Sequence, residues 1–204
     1  MDAPRMRRGD LQTLWHRLLR VARLDATAFL EVRDDPTATW PAIIVVAVAS
    51  LLSGIGGWLL YLNFYPAPLR DSSRFIPNSV VIGSILAVAL WFVWVGVTMF
   101  MLQQIWRRKV EFGSLVRTMG LAYFPVALSL LLVIRPLATA IGLISLAAAV
   151  LLSGVAVEAS TEAEPSEVLL SNLAGFAVFA IVLGFLGHSG IPTAYAPGIF
   201  AFSL

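Results

Sequence analysis

Five long apolar stretches, at residues 42–62, 80–102, 118–134, 137–157 and 168–187, contain no Asp, Glu, Lys or Arg. A bilayer core takes roughly 20 apolar helical residues to cross, so four of the five are long enough as written and the chain is expected to be a polytopic membrane protein. Its fold class is then all-α, a helical bundle of five transmembrane helices. Because no span carries an ionisable residue, the side chains that build ion paths and proton relays are missing from the lipid zone. With 59% hydrophobic and 13% charged residues, the chain is far from a soluble domain, which carries about 25% charge. Three parts follow: a cytosolic N-terminal segment at 1–41, a membrane domain at 42–187 and an apolar external tail at 188–204. Nothing in the first 41 residues forms the continuous apolar core of a cleavable signal peptide, so the first span is expected to serve as the insertion signal.

Residues 11–23 form an amphipathic helix. At 100° per residue Leu11, Leu14, Trp15, Leu18, Leu19, Val21 and Ala22 share one arc, opposite Gln12, Thr13, His16, Arg17, Arg20 and Arg23. Such a helix lies in the headgroup region or packs its stripe on the protein's own helices. Asp25 is placed to cap a short helix at 26–33, and Asp34-Asp35-Pro36 ends it, since a residue before proline avoids the helical region. Trp40 is placed as an interfacial anchor for span 1.

Ser50/Gly54 and Ser53/Gly57 in span 1 have the spacing that lets helices approach closely, for a dimer seam or for packing within one bundle. Trp91 and Trp94 are expected to pack span 2. Span 3 has only 17 residues, roughly 26 Å as an α-helix and short for a bilayer. Ser114 offers an earlier start with Arg117 snorkelling into the headgroups, and Pro125 predicts a kink. Arg135-Pro136 must turn the chain into span 4, as a tight hairpin or as a pair of partly inserted helices. Asn172, Phe176, Ala180, Gly184 and His188 read as one polar and small stripe facing other helices, and the uncharged tail is expected to be loosely ordered.

The basic residues set the orientation. Segments 1–41, 103–117 and 158–167 hold eleven Lys and Arg, while 63–79, 135–136 and the tail hold three. The positive-inside rule then puts the N-terminus in the cytosol and the C-terminus outside. Thirteen of fourteen basic residues are Arg, a bias of GC-rich genomes that points to a bacterial or archaeal plasma membrane.

Chemistry is sparse. The chain has no cysteine and only two histidines, His16 and His188, at opposite ends. No nucleophile motif, phosphate loop or metal signature occurs. Glu31, Asp34 and Asp35 could meet a divalent cation or pair with Arg17, Arg20, Arg23 and Arg33. Arg107-Arg108-Lys109 reads as a topology signal able to attract anionic headgroups. No catalytic, cofactor or metal residue is expected, and no nucleic-acid partner.

The stretch LDATAFLEVRDDPTATWPAIIVVAVASLLSGIG at 24–56 resembles the entry to the membrane domain in prokaryotic members of the Yip family, the Ypt-interacting proteins. EFGSLVRTMGLAYFPVALSLLL at 111–132 resembles that family's central segment, where a small residue, an aromatic and a proline open the third span. The resemblance covers roughly residues 24–187. It carries over to Asp35 and Pro36 before span 1, with Asp34 beside them, and to Gly120, Tyr123 and Pro125 in span 3. Two departures stand out: the Gly-Tyr pair of eukaryotic members is interrupted as Gly120-Leu121-Ala122-Tyr123, and their long N-terminal region is reduced here to about 40 residues. The resemblance implies a non-enzymatic membrane scaffold or adaptor that works with the lipid bilayer and a membrane or cytosolic protein, alone or as a homo-oligomer. From the residues alone, the rival reading is a small transporter or channel subunit for an apolar or lipid-like substrate.

Overall fold

The computed structural model describes residues 8–23, 25–64, 72–188 and 194–202, and among these all regular structure is helical. Two helices, α1 (Arg8–Ala22) and α2 (Thr27–Arg33), precede the bundle. Next come α3 (Thr39–Phe64), then α4 (Ser72–Phe75), which winds through a wide π-helical segment into α5 (Gly83–Phe100). The chain continues as α6 (Phe112–Ala122), α7 (Ala138–Ser160) and α8 (Pro165–Gly187). Five helical segments are long and apolar enough to cross a membrane: Pro36–Phe64, Ser73–Ile105, Phe112–Val133, Arg135–Ser160 and Pro165–Gly187.

The surface is inverted relative to a soluble protein. Leu151 and Phe185 are 70% and 76% exposed, while Ser50, Ser84, Ser145 and Asn172 are buried. Hydrocarbon cannot hydrogen-bond, so polar side chains at that depth must find partners inside. Asn172 accepts from Trp94 Nε1 at 3.0 Å and donates to the Val150 carbonyl at 2.9 Å, tying α5, α7 and α8 together. Ser84 donates to the Ser50 carbonyl at 3.0 Å, and Ser129 and Ser145 meet at 3.2 Å across the third and fourth spans.

The third span solves its length problem by winding. Pro125 has no N–H for the Leu121 carbonyl, and its ring crowds that group. The α-helix therefore stops at Ala122, and residues Phe124–Val133 continue as a 3₁₀-helix with i to i+3 bonds such as Val126 N–H to Tyr123 O at 3.1 Å. Eleven residues at about 1.5 Å and ten at about 2.0 Å reach about 36 Å, enough to cross. A change of helix type thus replaces the expected local kink. Ile134 leaves helical geometry, and a short turn at Arg135–Leu137 starts the return, so spans three and four form a hairpin.

Small residues of span 1 are used inside the molecule. Added methyl groups would meet Val80 Cα at 3.0 Å from Gly54 and Leu130 Cα at 2.8 Å from Gly56. At Gly57 the neighbour is Gly198, 3.0 Å away through its carbonyl oxygen. Gly198 belongs to the tail, which is not loose where described: Ala194, Ala196 and Ala201 are buried, and Ser79 donates to the Ala196 carbonyl at 2.6 Å. An uncharged segment brings no ionised side chain into an apolar bundle, and Gly57, Gly83 and Gly187 leave the space for it. Gly198 has φ +62°, a left-handed conformation that glycine adopts at no steric cost.

The stripe from Asn172 to His188 does not hold together. Four residues advance 400° on an α-helix, so each step slips about 40° and four steps nearly reverse the face. The buried residues of α8 are instead Val168, Ser171, Asn172, Gly175, Phe179, Leu183 and Gly187, while Gly184 faces open space. Gly184→Ala should accordingly leave thermal unfolding in micelles unchanged or raise its midpoint, by up to about 1 kcal/mol of helix propensity. Gly56→Ala should lower it, by about 1–3 kcal/mol of overpacking against the Ser129–Leu130 backbone. A neutral Gly56→Ala would contradict the packing described.

Candidate functional site

The N-terminal segment folds over one end of the bundle. Leu14, Leu18 and Val21, at helical spacing, turn α1 inward, and Val21 is fully buried. The other edge of the same arc stays open, with Trp15 62% and Leu19 37% exposed. The apolar stripe thus splits between protein and surroundings. Phe29 and Val32 anchor α2 in the core by the same spacing.

Ion pairs fasten α1 to α2 and to the entry of span 1. Arg17 meets Glu31 at 3.1 Å and Asp35 at 2.8 Å, and Arg20 meets Asp25 at 2.8 Å and Glu31 at 2.7 Å. The Thr27 hydroxyl and then Arg20 pull the Asp25 carboxyl down to about 2. Arg20, then Arg17, holds Glu31 below its ordinary range against its burial. Burial alone would raise Asp35, but hydrogen bonds from Thr37 and Arg17 outweigh it and leave it lowered. Glu31 and Asp35 are therefore occupied by guanidinium groups, and Asp34 pairs with Arg33 at 2.7 Å. Among the described residues no cluster has the make-up of a metal site.

Two arginines cap helix C-termini. The Arg117 guanidinium, buried in α6, donates from Nε at 3.1 Å and again from a terminal nitrogen to the Arg33 carbonyl at the end of α2. Arg33 in turn donates to the Ala159 carbonyl, one residue from the end of α7, at 3.2 Å. The last carbonyls of a helix lack intrahelical donors and carry partial negative charge, so each cation meets a group that needs it. On the far side, Arg108 forms a two-pronged pair with Glu167 at 2.8 and 3.0 Å. Glu167 also accepts from the Glu164 amide and completes the capping box that opens α8. Gln103 closes the loop between by donating to the Val110 carbonyl at 2.8 Å.

The residues singled out from sequence fall into two groups. Asp34, Asp35 and Pro36 lie on this face, Asp34 exposed, Asp35 ion-paired and Pro36 opening a 3₁₀ turn. Gly120, Tyr123 and Pro125 are inside. Gly120 lies against Ala42, with 2.9 Å left for a methyl group. Tyr123 does not reach the headgroups or the N-terminal segment: it is buried with its ring 6.5, 6.4 and 6.3 Å from those of Trp91, Trp94 and Phe179. What joins the N-terminal segment to span 3 is Arg117, two turns earlier. Read as a snorkelling residue, it instead points into the molecule. Arg117 lies about one turn after Ser114 and one turn before Gly120 on α6.

Arg117→Met removes both donors from the Arg33 carbonyl and should cost about 1–3 kcal/mol, read as a broadened distance distribution between spin labels at Thr27 and Thr161 in lipid nanodiscs. Asp25, Glu31 and Asp35 all have lowered folded-state values. Their contribution is present above the ordinary carboxylate range near pH 4 and fades as pH falls through the lowered ones. The same distance in the parent protein should thus hold from neutral pH to about 4 and broaden below it; broadening between pH 7 and 5 would exclude these pairs as its cause.

The family model described as the Yip1 domain matches residues 23–191. No curated protein and no solved structure matches the chain. The match runs from the turn after α1, through all five spans, to the residues after α8. This chain belongs to the Yip1-domain family.

Proposed function

We propose that this protein is a non-enzymatic membrane scaffold or adaptor that presents its N-terminal face to a protein partner. The observation that carries the reading is the interlocked face itself: the α1–α2 segment, the Arg107–Glu111 loop and the turn after α7 are held together by ion pairs and helix caps. A folded polar platform on an apolar bundle is suited to docking. The space around Tyr123 supports this reading over transport. The pocket bordered by Ser50, Ser53, Tyr123 and Ser129 has a volume of about 10 Å³, room for a single water at most.

The eleven-to-three division of basic residues supports a cytosolic N-terminal face in a bacterial or archaeal plasma membrane. Since the chain has no cysteine, single additions report topology directly. A cysteine replacing Ser73 should react with an impermeant maleimide in intact cells, and one replacing Ser166 only after permeabilisation; the reverse would invert the orientation.

Photo-crosslinking amino acids at Thr27 and Ser166 should give discrete protein adducts in native membranes, whereas Leu151 and Phe185 should give lipid adducts. Proteoliposomes should show no protein-dependent flux of lipid-like solutes. Flux without protein adducts would favour the transporter reading.

A further inference from the structure

We propose that the N-terminal face contains a binding site for a phosphate group, held by Arg107, Lys109 and the Ser114 hydroxyl in the first turn of α6. The site is a cleft of about 770 Å³ between the end of α2, the Arg107–Glu111 loop and the turn after α7. It rests on local geometry and is independent of the adaptor reading.

Four cations line the cleft, and two are already committed. Arg33 serves Asp34 and the Ala159 carbonyl, and Arg108 serves Glu167. Among the described residues Arg107 and Lys109 have no ion pair and no side-chain hydrogen bond, and both are exposed on the cleft. Arg107 has φ 55°, the left-handed region that a non-glycine residue occupies only where its surroundings impose it. Arg107 follows the helix end at Trp106, and the Arg108 N–H bonds back to the Leu102 carbonyl at 2.8 Å, so a helix-ending turn fixes the backbone between these two cations.

The cleft also has an unused hydrogen-bond donor. Ser114 lines it, is 4% exposed, and its hydroxyl is buried without a partner. A buried hydroxyl left unbonded is rare, because its desolvation goes uncompensated. Ser114 lies in the first turn of α6, after the N-cap residue Glu111, so the cleft borders the positive end of that helix. A tetrahedral oxyanion matches this set: it accepts from the hydroxyl, pairs with the two cations, and lies near the positive end of α6. Asp34, Glu111 and Glu162 also border the cleft. Asp34 is neutralised by Arg33, but Glu111 and Glu162 oppose an anion and hold the affinity down.

The phosphate could be a lipid headgroup or a diffusible phosphate, and the experiment separates them. Full-length protein in neutral-lipid nanodiscs is titrated calorimetrically with inorganic phosphate, using chloride at equal ionic strength as the control. In parallel, short-chain phosphatidate is titrated against phosphatidylcholine of the same length. Binding of both establishes a phosphate site open to either source. Binding of phosphatidate alone assigns it to a lipid, and of inorganic phosphate alone to a soluble ligand.

Arg107→Gln with Lys109→Gln should weaken binding about tenfold or more, and Glu162→Gln should strengthen it. Ser114→Ala is the sharpest variant. It removes an unbonded buried hydroxyl, so the unfolding midpoint of the ligand-free protein should stay or rise while phosphate affinity falls. The proposal is overturned if neither probe binds above its control, or if Ser114→Ala and the double variant both bind phosphate as tightly as the parent protein.

Discussion

The Arg117 guanidinium on the Arg33 carbonyl is the contact on which the N-terminal face depends. Buried cations require full hydrogen bonding, and a helix end is where unbonded carbonyls are available. Arg117 supplies donors to α2, and Arg33 does the same for α7. Three helices that share no backbone hydrogen bond are linked through two side chains. The Arg17 and Arg20 pairs then lay α1 across α2 without needing deep burial of α1 itself. Remove the first cap and the second loses its fixed origin, because Arg33 is held at its backbone by Arg117 and at its side chain by Asp34.

Inside the bundle a different constraint rules. Lipid tails are as apolar as leucine, so helices gain little by burying leucine against leucine and associate through close backbone approach and shared polar groups. Glycines in spans 1 and 5, the serine pair between spans 3 and 4, and Asn172 between α5 and α7 fill these roles. The aromatic group around Trp94, Tyr123 and Phe179 fills the volume that small residues leave. The tail completes the packing by lying against Gly57 and Ser53.

Much of this was legible without coordinates. The five spans, the hairpin at Arg135-Pro136 and the pairing of Glu31 and Asp35 with arginines follow from hydropathy, proline chemistry and local charge balance. The family was legible too, in two short segments around α2–α3 and α6. What escaped sequence reading were contacts between distant segments. Arg117 resembles any cation at a membrane edge, and only the arrival of Arg33 from 84 residues away gives it a partner. Nothing in the local sequence announces the neighbours of Tyr123; the rings of Trp91 and Trp94 reach it from span 2 and that of Phe179 from span 5. The tail has no charge or periodicity to announce a docking site, since the notch that receives it is built from spans 1, 2 and 5.

The proposal that this Yip1-domain chain presents a docking face stands or falls with the order of the N-terminal segment. Amide hydrogen exchange across residues 27–38 in lipid nanodiscs measures it most directly. The account predicts protection well above that of an unstructured peptide, with the amides of Phe29 and Val32 among the slowest of the segment. Exchange at random-coil rates through α2 would contradict it, because a segment that opens freely cannot be held by the Arg117 cap.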